Sequence, residues 1–388
     1  AEKRSVLGPV LLGILSTSLQ VVAGYPGTVF MMAFTSVWYC AFRFVYAPRR
    51  LRTILPLVAI GICPVGITLV QLWVGAETAA ESIRSGGGSF DFASSFSFPF
   101  KNLLTAVSPS FFGDNVYARY WGAWNFWDVS LFAGVGGTVF VLAGVVWGRG
   151  MWRGISVCLA LLILFVSFGR YTPFYGWLYD YVPGFQSFRA PSKFLFFSML
   201  FFSMLAALGL DEAFQQSGAT RRIGALLTWP LGAALFTGTA AVLWSTRGNP
   251  EESGWAELLR ASKTNSDHYV WWLIEDEYTK TTSLLAESSL AIAGVTALIL
   301  GGLLWIAGSA KRDEIARRHV LCVVIAIASL ELVLFARMYR GTFELDGLVR
   351  SAAVDKAYEQ CNAGERVLDI VRFNGRARNY AMNVGGRI

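Results

Sequence analysis

What this sequence has little of is charge. Only 15% of its 388 residues are Asp, Glu, Lys or Arg, against 54% that are hydrophobic. With a mean hydropathy of +0.48, the chain is too apolar to be a soluble globular protein of this length. Several runs reach the roughly 18 apolar residues of a membrane-spanning helix. Histidine is nearly absent: there are two, His268 and His319, and the topology argued below puts them on opposite sides of the membrane, so they do not share a metal ion. The five cysteines hold no pair at zinc spacing and give no disulfide framework. Cys40, Cys63, Cys158 and Cys322 fall in apolar runs, where thiols act as small hydrophobes, and Cys361 stands alone in a polar tail. There is no Gly-x-Ser-x-Gly elbow, and Gly86–Gly88 lacks the spacing and the Gly-Lys-Ser of a phosphate loop, which leaves it flexible backbone. The net charge of +7 needs no nucleic-acid partner, since Lys and Arg flanking membrane helices account for it. Ala1 is neither an initiator Met nor the start of a signal peptide, and we read the chain as a piece of a longer protein.

What is present is a series of about nine apolar segments, each near the ~20 residues of a span. They are Val6–Ala23, Gly27–Tyr46, Thr53–Val74, Val129–Trp147, Ile155–Phe168, Phe194–Leu210, Ile223–Leu243, Leu284–Ala307 and Val320–Met338, the fifth being short. Basic residues mark every second connection: Lys3 and Arg4; Arg49, Arg50 and Arg52; Arg149 and Arg153; Arg221 and Arg222; Lys311, Arg312, Arg317 and Arg318. The positive-inside rule assigns all of these to the cytoplasm. The expected fold is therefore an all-α polytopic membrane protein over 1–338, with outer loops at 75–128, 169–193 and 245–283. From 339 to 388 an Asn374–Gly375 turn signal and strand-like apolar residues read as the beginning of an outer soluble domain, α/β or β, interrupted at Ile388. Few charges lie deep in a span; Arg43 and Glu331 are exceptions near span ends. That pattern, with no internal repeat, points away from a transporter and toward work at the outer surface.

The chain is organised around Arg170–Phe194, RYTPFYGWLYDYVPGFQSFRAPSKF. Pro191 marks a helix start, because its missing N–H would have no partner in the first turn. Arg189 and Lys193 flank that start, beside expected unpaired N–H groups that favour an anion such as a lipid phosphate. The alternative is that both snorkel to the headgroups. Glu77, Glu81 and Arg84 share one face if the third helix continues, either as a headgroup contact or as a solvated helix end. Asp114 reads as a turn residue and Asp128 as the N-cap of the fourth span. The run Glu275–Asp276–Glu277 offers oxygen ligands for a divalent cation, or a solvated loop.

The run PGFQSFRAPSKFLFFSMLFFSMLAALGLDE resembles the signature of the YfhO-like bacterial membrane proteins, Pro-Gly-Phe, then Phe-Arg-Val-Pro-Ser-Arg-Phe, then an apolar helix ending Leu-Gly-Leu-Asp. VVAGYPGTVF, ESIRSGG, FPFKNLLTAVSPSFFGD and RARNYAMNVGG agree in order, so the similarity touches most of the chain. Ala190 and Lys193 depart from the usual Val and Arg, and the second replaces a two-pronged donor by a point charge. The resemblance implies a GT-C type glycosyltransferase that moves a sugar from a polyprenyl-phosphate donor to a cell-envelope polymer or lipid acceptor. The expected location is the outer face of the bacterial cytoplasmic membrane. It implies a donor-phosphate site at Arg189 and Lys193, with Arg84 as a second candidate. The catalytic carboxylate is expected upstream of residue 1, with Glu81, Asp114 and Asp128 as weak candidates within the chain, and a divalent cation is an open possibility. A flippase for a lipid-linked glycan and a non-catalytic scaffold are the alternatives.

Overall fold

The computed structural model describes residues 6–46, 50–81, 87–114, 117–118, 120–249, 252–263, 276–309 and 313–338. Arg84, Glu275 and the expected outer domain at 339–388 lie outside them. Every regular element among the described residues is helical. In order they are α1 (Leu7–Val22), α2 (Pro26–Tyr46), α3 (Arg50–Ile67), α4 (Leu69–Ala80), α5 (Phe90–Ala93), α6 (Gly134–Trp147), α7 (Gly150–Ser167), α8 (Pro173–Tyr181), α9 (Leu195–Gln215), α10 (Ser217–Ile223), α11 (Trp229–Ser245), α12 (Gly254–Lys263), α13 (Asp276–Ser309) and α14 (Glu314–Met338). Short 3₁₀ turns cover Phe100–Ala106, Gly169–Tyr171 and Pro191–Phe194, and a π turn at Gly224–Thr228 joins α10 to α11.

Six helical stretches are long and apolar enough to cross a membrane, and α3 with α4 make a seventh if taken as one bent span. The helices α1 and α6 are apolar but shorter. The protein is thus a helical, multi-pass membrane protein. Large apolar side chains lie exposed along α1, α3, α4 and α14 (Leu11, Leu15, Ile62, Trp73 and Leu332 among them), as lipid-facing surfaces require.

Several segments differ from the sequence reading. The third span is not one helix: α3 and α4 meet at Thr68 with a 70° bend. Pro56 and Pro64 remove ladder donors within α3, and the Thr68 hydroxyl bonds back to the Pro64 carbonyl at 2.7 Å, a contact that bends helices. The fifth span is not short, because α7 starts at Gly150 and runs 18 residues. Arg153 enters it by turning its Nε to the Val145 carbonyl at 2.8 Å. The fourth begins five residues late, at Gly134: before it, the Leu131 N–H is taken by the Thr105 hydroxyl at 2.9 Å and the Ala133 N–H by the Ala106 carbonyl at 3.1 Å. Asp128 is therefore not its N-cap. The N–H groups of Val135 and Gly136 instead donate to the two carboxylate oxygens of Glu331, on α14, at 3.1 Å each. A carboxylate at the positive end of a helix is favourable, and in this helix it supplies acceptors for donors with no intrahelical partner. Asp276 and Glu277 open α13 rather than lying in a loop. At ~1.5 Å per residue α13 is about 50 Å long, so it overruns the ~30 Å hydrocarbon layer.

The core forms where α6 and α9 cross. Val135, Val139 and Ala143 of α6 are buried with Leu195 and Ala213 of α9, and the cluster extends to Leu235, Leu290, Leu300, Leu321 and Val324 of α11, α13 and α14. A side chain at Gly144 would collide with the Leu205 carbonyl, and one at Gly209 with the Phe140 carbonyl. The two backbones therefore touch with a glycine on each side, the small-residue packing that membrane helices use when burial of apolar surface gives no drive between them. Gly144→Val or Gly209→Val should lower stability by about the 1–3 kcal/mol of overpacking, or more. Gly302→Ala, at a helical position with open space around it, should leave it unchanged or slightly raised. Thermal unfolding in detergent measures this, and an unchanged midpoint for Gly144→Val would refute the close crossing.

Candidate functional site at the outer loops

The first long loop and the Arg170–Phe194 stretch are laced together. The Gly88 N–H donates to the Gln186 carbonyl at 2.8 Å, Ala190 to Ser95 at 3.0 Å, Ser192 to Phe96 at 3.3 Å, and Phe98 to Ser167 at 2.9 Å. Side chains add to these: the Arg170 N–H reaches the Ser97 hydroxyl at 2.9 Å, and the Tyr175 and Tyr179 hydroxyls donate to the carbonyls of Ala93 and Gly88, each at 2.9 Å. Gly169 stands at φ +49, and a Cβ there would strike the Ser97 hydroxyl, so the approach of the two segments needs glycine. Phe185 packs edge-on against Phe30, Phe34 and Tyr175 beneath the strap.

Among the described residues, three non-glycine residues have left-handed backbone: Phe96 at φ +58, Trp124 at φ +62 and Ala190 at φ +66. Such positions cost on the order of 1–3 kcal/mol each and persist where surrounding bonds hold them, often at ligand sites. All three belong to this site. Ala190 carries only a methyl group, and a β-branched side chain would resist this conformation. The Phe96 and Trp124 rings lie 5.0 Å apart and carry cations. Arg170 lies 5.3 Å from the Trp124 ring centre, and Arg189 lies 5.5 Å from Phe96 and 5.8 Å from Phe92.

The three cations differ in what else they touch. Arg170 is tied down by the Asp91 carbonyl and the Ser94 hydroxyl, each at 3.2 Å, and by the Asp91 carboxylate at 3.7 Å. Lys193 donates to the Tyr25 hydroxyl at 2.6 Å. Arg189 is exposed and, among the described residues, has ring faces beside it and no hydrogen-bond acceptor. Its planar fork of donors is thus held in place with its edge available to an anion.

Comparison with protein-family models, with curated proteins and with solved structures returns no match for this chain. The site is therefore read from its own geometry.

In that geometry Arg189 precedes the Pro191–Phe194 turn and lies against Phe92 and Phe96, Lys193 lies within the turn against Tyr25, and the other expected residues stand elsewhere. The backbone N–H groups expected to be free at Pro191 are partly used, since Ser192 bonds to Phe96 and Lys193 to the Ala190 carbonyl at 3.1 Å. Helix α4 ends at Ala80 with Glu81 as its exposed C-cap, and the expected face shared with Arg84 lies outside the described residues. Asp114 is buried and closes a turn by accepting the N–H groups of Tyr117 at 2.8 Å and Ala118 at 3.4 Å. Asp128 closes another with the Asn125 side chain at 3.2 Å. Among the described residues no three His, Cys, Asp or Glu side chains gather to hold a metal ion. Sequence reasoning passed over Arg170 and Asp91, which lie 79 residues apart along the chain. Nothing local marks their pairing, although Arg170 opens the aromatic stretch. An apolar cavity of about 490 Å³ lies between the loop residues Leu104 and Phe111, helices α11 and α13, and Trp255. No cation lines it.

Tyr175 links the strap to its core. It is 2% exposed, and burial pushes its phenol above the ordinary value of 10.0, which keeps it a neutral donor. Tyr175→Phe leaves the Ala93 carbonyl without this donor and should cost about 1–3 kcal/mol. Because the folded phenol ionises later than the unfolded one, its contribution is complete below pH 10.0 and is lost as pH rises beyond. Tyr175→Phe should therefore be less stable at neutral pH and lose less on alkaline titration, as followed by thermal unfolding. Parallel curves for the two proteins would show that this hydroxyl does not secure the strap.

Proposed function

We propose that this chain is the membrane part of a GT-C-like glycosyltransferase, similar to the YfhO-like proteins. In this reading it moves a sugar from a polyprenyl-phosphate donor to a cell-envelope acceptor on the outer face of the bacterial cytoplasmic membrane. The observation that carries the proposal is Arg189, whose guanidinium is supported by Phe92 and Phe96 and has no acceptor of its own among the described residues. Lys193, four residues on and hydrogen-bonded to Tyr25, adds the second charge. Both suit a phosphate at the membrane surface.

Nine spans are part of the proposal, with α1, α6 and the bent α3–α4 pair each crossing once. Contacts between the basic connections support this count. Arg43 lies against Met151 and Trp152, Arg149 pairs with Glu212, and Arg221 lies over Trp305, so these cations share one end of the bundle. The laced loops belong to the other end, where Ser108 also bonds Ser289 and the Trp255 indole donates to Thr282. The positive-inside rule makes the first end cytoplasmic.

In the transfer step the bond from the sugar's anomeric carbon to the donor phosphate breaks as a bond to the acceptor oxygen forms. The acceptor's proton passes to a carboxylate, and the leaving polyprenyl phosphate keeps the electron pair and is met by Arg189 and Lys193. Asp91 is exposed and 3.7 Å from Arg170, and we assign the base to it in place of a carboxylate upstream of residue 1. Arg189→Ala should weaken binding of a polyprenyl phosphate by about the 1.5–3 kcal/mol of a charged hydrogen bond, with insertion and melting preserved. Lys193→Arg should be tolerated, and Asp91→Asn should abolish transfer while the lipid still binds. Undiminished binding by Arg189→Ala would reduce that residue to an interfacial anchor. Lipid binding without transfer, accompanied by movement of the lipid between leaflets of a liposome, would make the protein a flippase.

A further inference from the structure

Among the described residues, one polar group buried in the bundle is a cation with no ion pair. Arg317, in the first turns of α14, is 8% exposed. Its Nε has no hydrogen-bond partner, and no other bond of its guanidinium occurs among the described residues. It lines a cavity of about 380 Å³ with Phe214 and Gln215 of α9 and with Glu314 and Arg318 of its own helix. The neighbouring carboxylates are engaged with other groups: Asp313 accepts the Ala316 N–H at 2.9 Å, Glu314 pairs with Arg318 at 2.7 Å, Glu212 pairs with Arg149 at 3.2 Å, and Asp211 accepts from the Gln215 amide at 2.6 Å.

A guanidinium taken out of water without an acceptor is costly, and an anion with several oxygens in the cavity would relieve it. Arg318 adds a second positive charge to the lining against the single Glu314, and the volume accommodates a tetrahedral anion with its substituent. It lies at the end of the bundle shared by Arg149 and Arg221, the end at which basic pockets between membrane helices meet anionic headgroups.

We infer that the Arg317 cavity between the ends of α9 and α14 is a binding site for a phosphate group, separate from the outer site and independent of its chemistry. The phosphate comes either from an anionic phospholipid headgroup or from a free phosphate ion. The test is thermal unfolding of the full chain in detergent with phosphatidylglycerol, with phosphatidylcholine, and with inorganic phosphate against chloride at equal ionic strength. A rise in melting temperature with phosphatidylglycerol but not phosphatidylcholine assigns the lipid, and a rise with inorganic phosphate assigns the free ion. In either case Arg317→Gln should weaken the apparent affinity about tenfold or more, the loss of a charged hydrogen bond. If that variant does not fold, Arg317→Lys takes its place, with a smaller loss expected because the charge remains and the fork does not. Absence of any rise in the wild type, or a rise undiminished in the folded variant, overturns the inference.

Discussion

The carbonyls of Ser95 and Phe96 receive the N–H groups of Ala190 and Ser192, and the laced-loop end of the bundle depends on that exchange. Both segments are irregular backbone between membrane helices, where polar groups that pair with neither water nor protein are costly. Each supplies what the other lacks, so neither holds its shape alone. The left-handed backbone at Phe96 and Ala190 is retained because these bonds fix it on both sides. The consequence is chemical: the rings of Phe92, Phe96 and Trp124 are turned toward Arg170 and Arg189, and cations that would repel one another are spread over π faces.

Beneath that layer the helices are held by a different economy. Lipid offers apolar side chains nearly what a neighbouring helix offers, so association rests on close backbone approach and on satisfied polar groups. The Gly144–Gly209 crossing supplies the first. Glu331 supplies the second by taking the Val135 and Gly136 N–H groups of α6 from a helix almost 200 residues away. A carboxylate in a span reads as a functional group by default; here its oxygens are occupied by the start of another helix, which gives it a structural use.

The sequence made the helices legible because spans are long and their composition is decisive. Each of the nine apolar segments contains helix, though the third is broken at Thr68 and the fourth turns helical only at Gly134, and Pro191 stands at the first turn leading into α9. What it could not show were events decided by distant partners. The bend at Thr68 was foreshadowed by Pro64, but the late start of α6 depends on Thr105 and Ala106 holding the residues before it. The same limit applies to the site. The proposal at Arg189 and Lys193 rests on their spacing around a proline, a local feature of the sequence. The role of Arg170, the position of Asp91 and the orphaned Arg317 emerge only when chains of 79 residues or more close on themselves.

The central claim is that lipid phosphate is received on the aromatic strap. It is tested most directly by photo-crosslinking with a polyprenyl-phosphate analogue that carries a photoreactive group beside the phosphate, followed by peptide mapping. The account predicts label on the peptides spanning residues 88–98 and 184–194, suppressed by excess unlabelled polyprenyl phosphate. Competable label confined to other segments, with those two peptides bare, would contradict it.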